Sequence, residues 1–120
     1  MIVFLLLGAC TKEDTLAKQN TNTTDPTITE SESSLLFMLE EEKLARDTYL
    51  YLDSLYSYLK IFKNISSSEQ KHMDFVANLL DSRSISYQIL DRGQFADTSL
   101  QALYNNFKIK GQIGLAEGLH

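Results

Sequence analysis

The chain of 120 residues contains one cysteine, one proline and no cluster of basic residues. A single cysteine excludes an internal disulfide bond, which needs two thiols. The formal net charge of -5, without any basic patch, argues against nucleic acid or an anionic membrane surface as a partner. Strand-type alternation of Val, Ile and Thr is also lacking, whereas Leu and Glu are frequent. We therefore predict one small, all-α domain.

Long apolar runs are missing as well, and the longest one ends at the cysteine. The segment MIVFLLLGAC is far shorter than the about 20 apolar residues that span a bilayer. Its last four residues match the lipobox of bacterial lipoproteins, whose cysteine becomes the lipidated first residue after cleavage. No Lys or Arg precedes the run, although export signals usually start with a basic region. We predict a signal peptide over residues 1–10, lipidation of Cys10 and an exported domain anchored to a bacterial membrane. The alternative is an N-terminal strand or core helix with one buried cysteine.

The next segment, residues 11–33, has the composition of a tether. It is rich in Thr, Asn, Ser and charged residues and holds the only proline. Such a segment has too little apolar surface to fold by itself, so we predict a disordered spacer. It would hold a helical domain, residues 34–120, away from the membrane.

Two helices are predicted to form a hairpin. The first begins near Ser33 or Ser34, either of which can cap it, and the second covers roughly Lys60 to Ser82. At about 1.5 Å per residue, a short connection lets the two helices run antiparallel with Glu42 level with Glu69.

A long connection with a turn at Gly93 follows the second helix. Asp97 or Thr98 is predicted to cap a third helix, which Gly111 ends. Residues 115–120 then look like the opening turn of a fourth helix.

Glu42 lies at the centre of an apolar stripe of the first helix. On a helical wheel the apolar residues within about 60° of it are Leu35, Met38, Leu39, Ala45 and Tyr49. A carboxylate that points into a core is costly unless a cation or several hydrogen bonds compensate it. Its neighbours Glu40 and Glu41 are interpreted as a solvated charge run, whereas Glu42 is a candidate ligand.

Glu69 and His72 form a Glu-x-x-His pair on the second helix. Apolar residues surround Glu69 on the wheel, namely Phe62, Ile65, Met73, Val76 and Leu80. Two other interpretations remain open. Ser66 to Glu69 also fits a capping box, in which Glu69 would bond a backbone N–H at a helix start. His72 alone would more often be a core histidine.

The spacing of this pair suits a two-metal site. At i and i+3, a glutamate can bridge two metal ions while the imidazole binds one of them from the same helix face. Carboxylates and imidazole without a thiolate suit iron or manganese and give no reason to favour structural zinc. Iron is the first choice.

Three segments resemble a known family. EEEKLARDTYLYL, FKNISSSEQKHMDFV and LQALYNNFKIKG are similar to the bacterial ferritin-like domains catalogued as domain of unknown function 2202. Glu42 to Tyr49 also resembles the first-helix Glu-x-x-Ala-Arg-x-x-Tyr of rubrerythrin-like ferritin relatives. The resemblance implies a four-helix bundle with two iron ions as cofactor, in which Glu42, Glu69 and His72 are the first-half metal ligands and Tyr49 is their neighbour.

The resemblance also implies a second half. The last two bundle helices of the family supply a further Glu and a second Glu-x-x-His. Glu117 and His120 have this spacing but precede the place where those ligands belong, so neither is assigned a role. The expected fold is an antiparallel helical hairpin, half of the bundle, plus a short third helix. We favour a fragment of a longer protein, and a homodimer that completes the bundle is the alternative.

The expected function follows from this resemblance. The complete protein would use its metal centre for oxygen, peroxide or iron redox chemistry, or for iron storage, whereas these residues alone would bind metal weakly or not at all. The competing interpretation is a non-enzymatic helical envelope lipoprotein that binds another protein.

Overall fold

A computed structural model describes residues 29–114 as three helices, α1 (Glu30–Leu55), α2 (Lys60–Ser82) and α3 (Thr98–Ile113). These residues include no strand, which confirms the all-α prediction for this part of the chain. None of the three helices is long and apolar enough to cross a membrane. The predicted signal peptide with Cys10, the tether up to residue 28, and Glu117 and His120 lie outside the described residues.

The helix α1 begins earlier than predicted. Thr29 accepts a hydrogen bond from the backbone N–H of Glu32, and the Glu32 carboxylate accepts one from the backbone N–H of Thr29. This reciprocal capping box satisfies two N–H groups that lack partners at a helix start. The predicted start near Ser33 or Ser34 is therefore wrong, and residues 30–33 belong to the first turn of α1 rather than to the tether.

The helix α2 has the predicted limits. Ser66, Ser67 and Ser68 lie inside it, and their hydroxyls donate to backbone carbonyls three or four residues earlier, at 2.8, 3.0 and 3.3 Å. The capping-box interpretation of Glu69 is therefore wrong. Serines favour such local bonds in a helix interior as well as at its start, so the sequence pattern was ambiguous.

The helices α1 and α2 pack antiparallel, as predicted. Near their connection, Tyr49 and Leu52 of α1 pack on Phe62 of α2. At the other end, Leu39 of α1 packs against a group on α2 made up of Met73, Val76 and Leu80. The two apolar clusters leave the middle of the interface to other residues.

The helix α3 packs on a different side of α1. Leu44 of α1 shares a cluster with Leu100 and Tyr104 of α3 and with Phe95, which precedes α3. Asp97 caps the helix and accepts from the backbone N–H groups of two following residues at 2.8 and 3.1 Å, as predicted.

Gly111 does not end α3, and that prediction is wrong. The helix continues to Ile113, with Gly114 as its C-terminal cap. A Cβ atom at position 111 would lie 3.1 Å from Leu52 Cδ2, and the Tyr56 hydroxyl donates to the Gly111 carbonyl at 2.7 Å. This glycine therefore permits the close approach of α3 to α1.

The turn predicted at Gly93 is observed. Its φ of +82° lies in the left-handed region, and its N–H donates to Asp47 Oδ2 at 2.9 Å. A Cβ atom there would lie 3.1 Å from the Tyr104 ring.

We predict that Gly93→Ala lowers the free energy of unfolding by about 1–3 kcal/mol, because an L-residue is strained at this φ. Gly114 is the matched control, since its backbone is extended and a Cβ there meets no atom within 4 Å. Gly114→Ala should change stability by less than about 0.5 kcal/mol. Urea unfolding followed by circular dichroism measures both, and equal losses would contradict the assignment of strain to Gly93.

Candidate metal site

The middle of the α1–α2 interface holds a cluster of Glu42 from α1 with Glu69 and His72 from α2. Each offers one ligand atom, and these atoms all lie within 4.8 Å of one another. His72 Nδ1 is 3.4 Å from Glu42 Oε2 and 3.4 Å from Glu69 Oε2. The structure thus brings together the three residues predicted as ligands. Their role as ligands stays a prediction.

The two carboxylates are much less accessible than the imidazole. The Glu69 side chain is 2% exposed and that of Glu42 is 12% exposed, whereas His72 is 54% exposed. His72 bonds Glu69, but its contact with Glu42 lacks hydrogen-bond geometry. Among the described residues, no other group donates to Glu42 Oε2, although this atom is buried. A buried carboxylate oxygen without a donor is destabilising, and a cation would compensate it.

The protonation of Glu42 reflects this environment. Burial, as the larger cause, and the neighbouring Glu69 carboxylate together raise its pKa from 4.5 to about 8. His72 opposes these effects and lowers the pKa. Without a cation, the carboxylate pair therefore retains a proton at neutral pH. A metal ion would replace that proton, because carboxylate ligands bind metal when deprotonated.

Tyr49 lies close enough to Glu69 to interact with its charge. It is 2% exposed, and its ring stacks on Phe62 with centroids 6.4 Å apart. Burial raises the pKa of the phenol, and the negative charge of Glu69 raises it further. The hydroxyl therefore stays protonated at neutral pH and is available as a donor.

The chain matches a family of proteins over most of its length. Residues 31–120 match the family described as "Uncharacterized protein domain (DUF2202)". The chain belongs to this family. An uncharacterized protein of Methanocaldococcus jannaschii is 42% identical over 96 residues, which make up 78% of this chain and 51% of the relative. The DUF2202 chain thus spans about half the length of the curated relative it matches. No solved structure matches it.

Sequence reasoning missed a buried polar network on the other side of α1. Lys43 is 2% exposed and Asp47 is 0% exposed, and their charged groups meet at 2.7 Å. Lys43 Nζ also donates to the backbone carbonyls of Asp91 and Gln94 at 2.9 and 2.8 Å. All three ammonium hydrogens therefore have acceptors. The spacing of four residues was visible in the sequence, but it is equally typical of exposed helix pairs.

Glu40 belongs to the same side of α1, and its interpretation as merely solvated is wrong. Its carboxylate accepts from the backbone N–H groups of Ala96 and Asp97 at 2.7 and 3.1 Å. Glu40 and Lys43 thus hold the segment between α2 and α3 against α1, while Glu42 faces α2. Neighbouring charges of one helix serve two different surfaces because successive side chains point about 100° apart.

The donor set fits part of a two-metal site. Two carboxylates and one imidazole, without thiolate, suit iron or manganese. Three ligands fill half of the set that a carboxylate-bridged pair of ions receives from a four-helix bundle. The exposed side of His72 leaves room for the remaining ligands.

We predict that the metal-free DUF2202 chain loses stability as the pH rises from 4.5 to about 8. In that range the folded state binds the Glu42 proton and the unfolded state does not, so rising pH favours unfolding. Glu42→Gln removes the titrating group and with it this pH dependence. It should unfold at higher urea concentration than the unsubstituted chain at about pH 9 and differ little at about pH 5.

The matched control is Asp53→Asn, which neutralises another carboxylate of α1. Urea titrations with chelator present compare the three proteins at both pH values. If Glu42→Gln gives no gain in stability at the higher pH, or if Asp53→Asn gives the same gain, the raised pKa does not belong to Glu42.

Proposed function

We propose that Glu42, Glu69 and His72 are the first half of the ligand set of a carboxylate-bridged two-metal centre in a ferritin-like domain. The observation that carries this proposal is the combination of three convergent ligand atoms with a buried Glu42 oxygen that no other described residue supplies with a donor. A divalent ion would take the place of the proton that the carboxylate pair holds. Iron is the preferred metal, and manganese suits the same ligands.

Each residue has a proposed role. Glu69 is the more deeply buried carboxylate and would bridge the two ions, while Glu42 and His72 would bind them as terminal or bridging ligands. The protonated phenol of Tyr49 would orient a carboxylate or donate an electron. Iron, when bound, supplies reactivity toward oxygen or peroxide, so the proposed activity of the complete protein is oxygen, peroxide or iron redox chemistry.

The remaining ligands would come from a second pair of helices. The relative in Methanocaldococcus jannaschii is about twice as long as the matched segment, which leaves length for a further Glu and a second Glu-x-x-His. The exposed edge of α2 beside His72 carries two large apolar side chains, Ile61 at 56% and Phe75 at 65% exposed. Helices packed there would cover this edge and close the site. A second copy of the chain would do the same in a homodimer.

We further propose that the domain works in the cell envelope. The lipobox that ends at Cys10 supports export and lipid anchoring, and the polar segment after it would serve as the tether.

The competing proposal is a protein-binding module without metal chemistry. The same exposed residues of α2 favour it, because large apolar side chains that face water can be covered by another protein. In that case Glu69 and His72 would not be needed for metal uptake.

Iron uptake by the protein in its natural length distinguishes the two proposals. Under anaerobic Fe²⁺ titration we expect Glu69→Ala and His72→Ala each to weaken binding by more than about tenfold, since loss of a direct ligand costs more than loss of an outer partner. Asp53→Asn is the control and should leave binding unchanged. If both ligand variants take up iron or manganese normally, the ligand assignment is wrong.

A further inference from the structure

The hydrogen bonds around Asp47 extend across the interface to α2. Arg46 donates from Nε to Asp47 Oδ1 at 3.0 Å, and its Nη2 lies 2.9 Å from the same oxygen. Its Nη1 donates to Gln70 Oε1 at 2.7 Å. One guanidinium group therefore joins a carboxylate of α1 to an amide of α2.

The α1 end of this link is firmly held. Asp47 also accepts from Lys43 Nζ and from the backbone N–H of Gly93, at 2.7 and 2.9 Å. A carboxylate that is 0% exposed and bonded in four ways cannot move without losing partners that water does not replace. The planar guanidinium, with its donors in a rigid fork, transmits this fixed position to Gln70.

The α2 end is held in the matching orientation. Gln70 Nε2 donates to Asp74 Oδ1 at 2.9 Å. Because Asp74 accepts and Arg46 donates, only one of the two amide orientations of Gln70 satisfies both neighbours.

The position of Gln70 connects this link to the candidate metal site. Gln70 directly follows Glu69 and precedes His72 by two residues, within one turn of α2. The apolar clusters on either side resist separation of the helices but restrict sliding and rotation less, because apolar contacts have no direction. A metal site needs its ligands held within about 0.5 Å of the productive geometry. A directional hydrogen bond at the level of the ligands supplies that restriction.

We propose that Arg46 and Gln70 are positioning residues for the candidate metal site. Their hydrogen bond sets the register of α2 against α1 and thereby places Glu69 and His72 opposite Glu42. The role in metal binding rests on the proposed function, whereas the role in register does not.

Two substitutions test the proposal, first in the 120-residue chain. Gln70→Met keeps the length of the side chain but removes the acceptor for Arg46 and the donor to Asp74. Gln101→Met is the matched control, because Gln101 accepts from the Phe95 N–H and donates to the Gly93 carbonyl, both outside α2.

The first measurement is made without metal. The imidazole resonances of His72 are observed by NMR with chelator present and assigned with His72→Gln; the only other histidine is His120. We expect Gln70→Met to shift them, and Gln101→Met to leave them near their original positions. If Gln70→Met unfolds the chain, Arg46→Lys replaces it. An ammonium keeps the positive charge beside Asp47 but lacks the forked donors that join Asp47 to Gln70.

The second measurement is made on the protein in its natural length, with Co²⁺ as a probe followed by its visible absorption. Gln70→Met should raise the Kd for Co²⁺ about tenfold and change the absorption band. Tenfold is the smaller end of the loss of metal affinity that follows removal of a residue that orients a ligand. Gln101→Met should do neither.

The outcomes separate the two proposals. Unchanged His72 resonances in Gln70→Met, or equal shifts in Gln101→Met, would overturn the positioning role. Failure of the protein in its natural length to bind Co²⁺ through Glu69 and His72 would count against the proposed function, while the resonances of His72 would still decide the register.

Discussion

The arrangement of the three helices depends on the buried ion pair of Lys43 and Asp47. Removing two charges from water is costly, and a pair of this kind is tolerated only when every donor and acceptor is satisfied. Here the partners are supplied by the segment between α2 and α3, through the backbone of Asp91, Gly93 and Gln94. That segment must therefore lie against α1, which directs α3 onto the same side of the helix.

The same stretch of α1 presents a second buried carboxylate with a different environment. Asp47 is surrounded by donors, whereas Glu42 faces another carboxylate and has an oxygen to which no other described residue donates. Burial accounts for the cost in both cases, but only Asp47 has its compensation within the described residues. This contrast is the physical basis for assigning a cation to the Glu42 side rather than to the Asp47 side.

Much of the helical arrangement was predictable because it depends on local signals. The limits of α2 and the cap at Asp97 follow from periodicity and from a short side chain that bonds nearby N–H groups. Glu42 and Glu69 were recognised as inward-facing because their apolar neighbours recur at helical spacing. One pattern can serve two structures: Ser66 to Glu69 resembles a cap inside a helix, which left an alternative open, and Gly111 resembles a helix stop where it permits close packing, which caused an error.

By itself, the sequence determined the all-α class, the approximate helices, the family and the three candidate ligands, because these follow from spacing along one chain. Only the tertiary structure decided that Lys43 and Asp47 are buried, that Glu40 bonds the connecting backbone and that Arg46 reaches Gln70 across the interface. The physical reason is that each of these charged side chains has, besides any local partner, a hydrogen-bond partner between 24 and 57 residues away. The exposure and pairing of a charged side chain depend on which surface packs over it, and a helical wheel does not contain that information.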